Sequence, residues 1–243
     1  MKILVACEES QVVCKAFREL GNEAYSCDIQ PCSGGFPEWH IQEDVIPLLN
    51  GKCEFYTCDG KLHEILGRWD MIIAFPSCTY LTFAGNQMLS PKRRTPEQIK
   101  ERMKKREEAA YFFLDIANAD CDRIAIVNPE GYMNSYYCKP DQIIQPYYFG
   151  DPEMKTTCLW LKGLQPLLYL KVYPKPQPIK TNIRSNGKKH NVYFTEGLSG
   201  SQRAKNRSKT FPGVAAAMAE QWTDETFRFL APDLKYQQLL LDV

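Results

Sequence analysis

A chain of 243 residues with 44% hydrophobic and 24% charged residues has the balance of an ordinary globular protein, long enough for one α/β domain and a small appended lobe. Its net charge of +1 provides no overall basic field, so contact with nucleic acid has to rest on local patches. No apolar run approaches the roughly 20 residues of a membrane span. Met1-Lys2-Ile3-Leu4 opens without signal-peptide organisation, and the ten scattered cysteines read as reduced thiols of a cytoplasmic protein rather than as a disulfide framework.

In chain order, residues 3–6 form a short apolar run, the pattern of a buried parallel strand. The spacing of Val12, Val13, Ala16, Phe17 and Leu20 predicts a helix over 12–20, stopped by Gly21. Residues 23–27 read as a second strand ending at Asp28, which completes the strand–helix–strand unit of a nucleoside- or dinucleotide-binding half. The next convincing strand, 71–75, follows Trp69-Asp70 and runs into Pro76-Ser77. Pro96 opens a long helix over 96–119, with Ala109, Phe112, Phe113 and Ile116 as its apolar positions, and 123–127 is a further strand ended by Asn128-Pro129-Glu130-Gly131. Residues 157–161 and 167–172 predict a late antiparallel pair, 174–209 a loop or loosely ordered lobe, and 214–222 and 223–230 helices. The alternation implies an α/β fold with a mostly parallel, Rossmann-like sheet and ligands at the carboxyl ends of its strands. Loops 7–11, 28–44, 76–87 and 128–150 are therefore the functional candidates.

Loop 7–11, Cys7-Glu8-Glu9-Ser10-Gln11, lacks the glycines of a phosphate-cradling turn. Its acids suit a helix N-terminus, with Ser10 as N-cap. They would also repel a pyrophosphate while tolerating a cationic cofactor without phosphate, which favours S-adenosylmethionine over NAD. Asp28 stands where a carboxylate accepts hydrogen bonds from ribose hydroxyls, and Asp44 where one accepts from an adenine amino group. Either acid alone reads equally as a solvated loop residue. Cys78 follows a buried strand into the turn at its carboxyl end, where a thiolate can add to an electron-poor carbon; the plainer alternative is one more small buried thiol. Asn128 and Glu130 occupy the neighbouring strand-end loop, where Asn128 bonds a ligand or caps the turn and Glu130 faces a pocket or solvent. Cys27, Cys32 and His40, or Cys53, Cys58 and His63, are too loosely spaced for a zinc site, so no metal is expected. Two basic runs remain. Eight Lys and Arg residues against Glu97 and Glu101 in 92–106 read as a solvated helix face. Residues 171–209, with Glu196 as their only acid, suit phosphate contact through Arg184, Lys188 and Lys189, with Arg207 further on.

Taken in order, 3–7, Ser26-Cys27-Asp28-Ile29, 37–44, 69–82 and Asn128-Pro129-Glu130-Gly131 resemble the DNA cytosine-5 methyltransferases, closest to a compact branch common in phages and prophages. Residues 148–155 are similar to that family's Tyr-Gly-x-Pro-Gln-x-Arg segment, and 207–215 to its C-terminal return helix. The resemblance implies a class I methyltransferase sheet. It also implies an S-adenosylmethionine-binding catalytic domain over 1–170, a short basic recognition lobe over 171–210, and C-terminal helices over 211–243 packing back on the catalytic domain. Cys78 takes the nucleophile position, attacking ring carbon 6 of a flipped-out cytosine, with Asn128, Glu130 and Lys155 as its catalytic company. Cys7, Glu8, Ser10, Asp28, Ile29, Asp44 and Pro76 fall in the cofactor-binding segments. Ser77 separates Pro76 from Cys78 where the family has them adjacent, Val127 stands where the family has Glu, and Glu153 and Lys155 replace its Gln and Arg. Ser77 and Val127 keep a non-catalytic relative open beside DNA methylation, the small recognition lobe keeps open an enzyme acting on free cytosine nucleotides, and the oligomeric state, monomer or dimer, is undetermined.

Overall fold

The computed structural model describes residues 1–183, 187–193 and 209–229. Seven strands form the central sheet: β1 (Lys2–Ala6), β2 (Glu23–Cys27), β3 (His40–Ile41), β4 (Met71–Ala74), β5 (Ile124–Asn128), β6 (Gln142–Ile144) and β7 (Thr157–Lys162). They lie in the order β3-β2-β1-β4-β5-β7-β6. The first five in that order are parallel to one another; β7 runs antiparallel to both β5 and β6. This is an α/β architecture with a largely parallel sheet, compatible with a Rossmann-like fold. Strand order reverses between β1 and β4, so their carboxyl ends flank the crevice in which open α/β sheets take ligands.

Four α-helices accompany the sheet among the described residues: α1 (Val12–Glu19), α2 (Pro96–Ala117), α3 (Met133–Tyr136) and α4 (Pro212–Thr223). β1 sends alternate side chains into two apolar layers, as the period of a strand requires. Leu4 and Ala6 pack with Ile72, Ala74 and Ile126 beneath Phe113 and Ile116 of α2. Ile3 and Val5 pack with Ile73 and Ala125 beneath Phe17 of α1 and Met218 and Trp222 of α4. Helix α2 begins at a reciprocal cap, Gln98 N donating to Thr95 Oγ1 (3.4 Å) and Thr95 N to Gln98 Oε1 (3.2 Å), with Pro96 in the first turn.

Several expectations change. Residues 167–172 are irregular and do not pair with β7, which takes β5 and β6 as neighbours instead. Side chains replace the missing ladder. Gln142 Nε2 donates to the Leu167 carbonyl (2.8 Å) and its Oε1 accepts from Leu167 N (2.8 Å), while Gln221 does the same for Leu168 (3.0 and 2.6 Å). Both leucines are thus buried with their backbone groups satisfied. The stretch expected as a helix over 223–230 contains a 3-10 turn, Glu225–Phe229. Two antiparallel hairpins add to the predicted elements, Cys53–Tyr56 with Leu62–Ile65, and Lys180–Ile183 with Lys189–Val192 inside the stretch expected as loop. No described helix is long and apolar enough to cross a membrane.

Helix α4 packs on α1, and the Asp151 carboxylate receives Gly213 N (2.9 Å) at its first turn. This contact joins the 148–155 segment to the chain's return at 212, two stretches far apart in sequence.

Candidate functional site

The turn from β1 into α1 carries two non-glycine residues in left-handed backbone, Cys7 (φ 59°) and Gln11 (φ 58°). Such strain costs on the order of 1–3 kcal/mol per residue and persists only where the surroundings impose it. Glu8 supplies part of that constraint. It is buried, and its carboxylate accepts from Val13 N (2.7 Å) and Cys14 N (3.1 Å) in the first turn of α1. Ser10 is therefore not the N-cap. Gln11 holds that position without a capping side-chain bond, and Glu8 satisfies the free amides from below. Burial raises the Glu8 carboxyl to about 7, working against the backbone bonds that lower it. Glu8 thus caps the first turn of α1. The anion site that a helix N-terminus offers to phosphate is filled by the protein's own carboxylate.

Loops 7–11 and 28–36 are joined along Gln11. The fully buried Gln11 amide donates to the Phe36 carbonyl (2.8 Å) and accepts from Phe36 N (3.0 Å) and Cys32 Sγ (3.0 Å), and Glu9 accepts from Ser33 Oγ. Gly34 sits where any Cβ would overlap Gln11. Cys7, Asp28 and Asp44 all lie beyond the carboxyl ends of β1, β2 and β3. Burial pushes the Cys7 thiol up to about 12, and the Asp28 and Asp44 carboxylates push it the same way. Asp28 Oδ1 accepts from Gln30 N (2.9 Å), Asp44 Oδ1 accepts from Ile46 N (3.0 Å), and the adjoining Ile29 is 75% exposed.

Strand β4 delivers the next loop beside β1, Phe75 N donating to the Ala6 carbonyl (3.0 Å). Pro76 is buried and Cys78 exposed, so Cys78 is not a packed core thiol. Asn128, buried at the end of β5, donates Nδ2 to the Pro76 carbonyl (2.7 Å) and so positions the Cys78 turn. Glu130 is exposed, and its carbonyl accepts Phe83 N (3.3 Å). Asn128→Ala should cost about 1–3 kcal/mol, because it leaves a buried carbonyl without a donor. Denaturant melts measure this, and an unchanged midpoint would show that the bond does not hold the turn.

Compared with models of known protein families and with curated proteins, the chain matches none.

The basic run 92–106 is more than a solvated face. Arg102 Nη2 donates to the Thr79 carbonyl (2.9 Å) with its guanidinium over the Tyr80 ring (5.0 Å). Arg106 donates Nε to the Tyr80 carbonyl (3.0 Å) and Nη2 to Asn86 Oδ1 (2.6 Å), and it lies over the Tyr132 ring (5.2 Å). Helix α2 thus pins the Cys78 loop. The signal in the sequence is positional. Arg102 and Arg106 fall on the helical stripe that continues into buried Ala110 and Phe113, whereas the Glu101–Lys105 pair lies on the outer face.

Lys155 lies before β7, its ammonium 5.6 Å from the Phe211 ring centroid, next to buried Glu153. Because β7 is antiparallel, both are at the same end of the sheet as Asn128, which faces Cys158 across the β5–β7 pair. Val127 packs in the α1–α4 layer with Phe75. Lys188 and Lys189 are exposed on the Lys180–Val192 hairpin, and Arg184 and Arg207 lie outside the described residues. His40 is engaged by Ser26 Oγ (2.9 Å) and the Gln30 carbonyl (3.0 Å), and His63 by the Tyr25 hydroxyl (3.0 Å) and Thr57 Oγ1 (3.1 Å). Among the described residues no three His, Cys, Asp or Glu side chains gather as metal ligands.

Proposed function

We propose that the protein is an S-adenosylmethionine-dependent methyltransferase acting on cytosine in DNA, with Cys78 as its nucleophile. The observation that carries this reading is the grouping at one end of the sheet. An exposed thiol follows β4 and two carboxylates follow β2 and β3, while Glu8 occupies the intervening helix N-terminus. A pyrophosphate would have to displace Glu8 from the same amides, whereas a cationic, phosphate-free cofactor suits an acidic surround. The antiparallel β7 between β5 and β6 supports a methyltransferase sheet over the dinucleotide-binding order, in which strands 4, 5 and 6 lie side by side.

Asp28 would hold the cofactor's ribose hydroxyls and Asp44 its adenine amino group, with the exposed Ile29 as apolar cover. Bound S-adenosylmethionine supplies an electrophilic methyl group. The Cys78 thiolate forms a bond to carbon 6 of an extruded cytosine, which makes carbon 5 nucleophilic. After methylation, a base takes the proton from carbon 5, the carbon–sulfur bond breaks, and the thiolate is restored. Asn128 fixes the turn through the Pro76 carbonyl. Glu130 is the carboxyl in the adjacent loop assigned to the ring nitrogen, since Val127 is apolar and Lys155 is held at Phe211. The exposed Lys188 and Lys189, with Arg184 and Arg207, would contact phosphates. A second reading, a non-catalytic relative that binds cofactor or DNA, is favoured by Val127, which puts no acid at the strand end.

Calorimetry with S-adenosylmethionine and NAD tests the cofactor assignment. Asp28→Ala should weaken S-adenosylmethionine binding by about 1–3 kcal/mol, the scale of lost charge-assisted hydrogen bonds. Tight NAD binding with no S-adenosylmethionine binding would remove the proposal.

A further inference from the structure

The loop that carries Cys78 is bordered by aromatic side chains that the proposed chemistry does not use. Phe83 is 52% exposed on that loop. Tyr136 on α3 is 42% exposed and stacks on Tyr132 at 4.8 Å and 22°, and Tyr132 in turn lies under Arg106. The same guanidinium bonds the Tyr80 carbonyl, and Arg102 covers the Tyr80 ring, so loop, α2 and α3 make one continuous surface. Tyr132 N donates to the Leu81 carbonyl (2.6 Å), and Gly131 is bridged to Thr82 so closely that a Cβ there would overlap Leu81. The aromatic groups are therefore set on a fixed backbone. Lys92, Arg93, Arg94, Lys100 and Lys104 are exposed along the same loop-to-helix stretch. Large aromatic rings left in solvent beside a dense basic run are the two components of a surface that stacks unpaired bases while tracking a phosphate backbone.

We propose that this surface, Phe83 and the Tyr132–Tyr136 stack with the basic stretch 92–106, binds single-stranded DNA and presents an unpaired cytosine to Cys78. It rests on the DNA reading above and places the unpaired strand on α2 and α3, in addition to the phosphate contacts proposed for the Lys180–Val192 hairpin. A single strand is the occupant because a ring can stack on a base only where that base is free of its partner strand, and the exposed cations complement a backbone of phosphates; that the strand is DNA follows from the reading above.

The test is fluorescence anisotropy with a labelled oligodeoxycytidine, a hairpin duplex and an oligocytidine RNA, using Cys78→Ser protein without cofactor so that binding is read apart from methyl transfer. The single strand should bind more tightly than the duplex and the RNA. Phe83→Ala and Tyr136→Ala should each weaken it about 5- to 150-fold, the loss expected for one base–aromatic stack. Tyr136→Trp, which keeps a stacking face, should restore binding, and unchanged melting temperatures separate lost stacking from lost fold. Preference for duplex or RNA, or alanine variants that bind as the parent does, overturns the assignment. Single-strand binding that follows these variants in a wild-type protein unable to methylate upholds the surface and removes the methyltransferase reading. Methylation of duplex untouched by Tyr136→Ala does the reverse.

Discussion

Replacing Cys78 by serine is expected to reduce methyl transfer to background while leaving the fold and S-adenosylmethionine affinity in place. Cys78 is exposed on a loop pinned by Asn128, Arg102 and Arg106, so the substitution removes no core contact. A thiolate is a far better nucleophile than a serine hydroxyl toward a neutral ring carbon. Removing a covalent nucleophile costs several orders of magnitude in kcat. The other thiols near the sheet's carboxyl end do not compete. Burial raises Cys7 to about 12 and Cys158 to about 11, and it raises Cys27 as well, so each stays protonated and unreactive near neutral pH. Cys7→Ala, Cys27→Ala and Cys158→Ala should retain activity with modest losses of stability. DNA carrying 5-fluorocytosine should form a covalent adduct with the wild type, because the proton normally lost from carbon 5 is replaced by fluorine. Gel-shifted adduct with wild type and none with Cys78→Ser is the result to look for. A wild type that neither methylates nor traps establishes the non-catalytic reading and makes Val127 its cause.

The second large effect concerns Glu8 and pH. Its carboxyl is raised from 4.5 to about 7, first by burial, so the folded protein holds this proton more tightly than the unfolded chain does. Below about pH 4.5 both states are protonated, and this contribution to stability is fully present. Between pH 4.5 and 7 the unfolded chain ionises while the fold keeps its proton, and the contribution is progressively lost; above 7 the loss levels off. The difference amounts to on the order of 3 kcal/mol. For a protein of this size that is a fall of roughly 6–12 °C in melting temperature. Glu8→Gln keeps an acceptor under α1 but cannot ionise. It should be less stable than the wild type at pH 5 and lose less stability between pH 5 and pH 8. Parallel pH profiles for the two proteins would mean that Glu8 is solvated and that the α1 N-terminus is open to an anion, which would also weaken the case against a phosphate-bearing cofactor.

The arginine latch and the Glu8 cap explain why part of the site was illegible before the chain was folded. Arg102 and Arg106 meet carbonyls 23 and 26 residues away, so their place on the buried stripe marks them as inward-facing without showing what they bind. Glu8 follows an apolar strand and precedes a helix, a position in which an acid reads equally well as a solvated first-turn residue. Its burial depends on α1 closing over it, which the pairing of β1 with β2 and the packing of α1 against α4 bring about.

By itself, the sequence determined the parallel core and the order of its candidate loops. Runs such as Ile3 to Ala6, Met71 to Ala74 and Ile124 to Val127 are apolar at every position because both faces of a parallel sheet are covered, and that property is local enough to read directly. It also put Asp28 and Cys78 at strand ends, since a strand and its following turn are contiguous in the chain. Tertiary structure alone decided which of these groups meet. The two-residue strand β3 is too short to carry a period, yet its pairing with β2 helps bring Asp44 near Cys7. Residues 167–172 have the apolar content of a strand, but Gln142 and Gln221 satisfy the backbone at Leu167 and Leu168 without any ladder. Asn128, a fair candidate for a ligand contact, is turned onto the Pro76 carbonyl. Hydrogen bonds between residues distant in sequence form only once the sheet has set their separation, and at this site those bonds divide the groups that hold the loops from the groups left free to react.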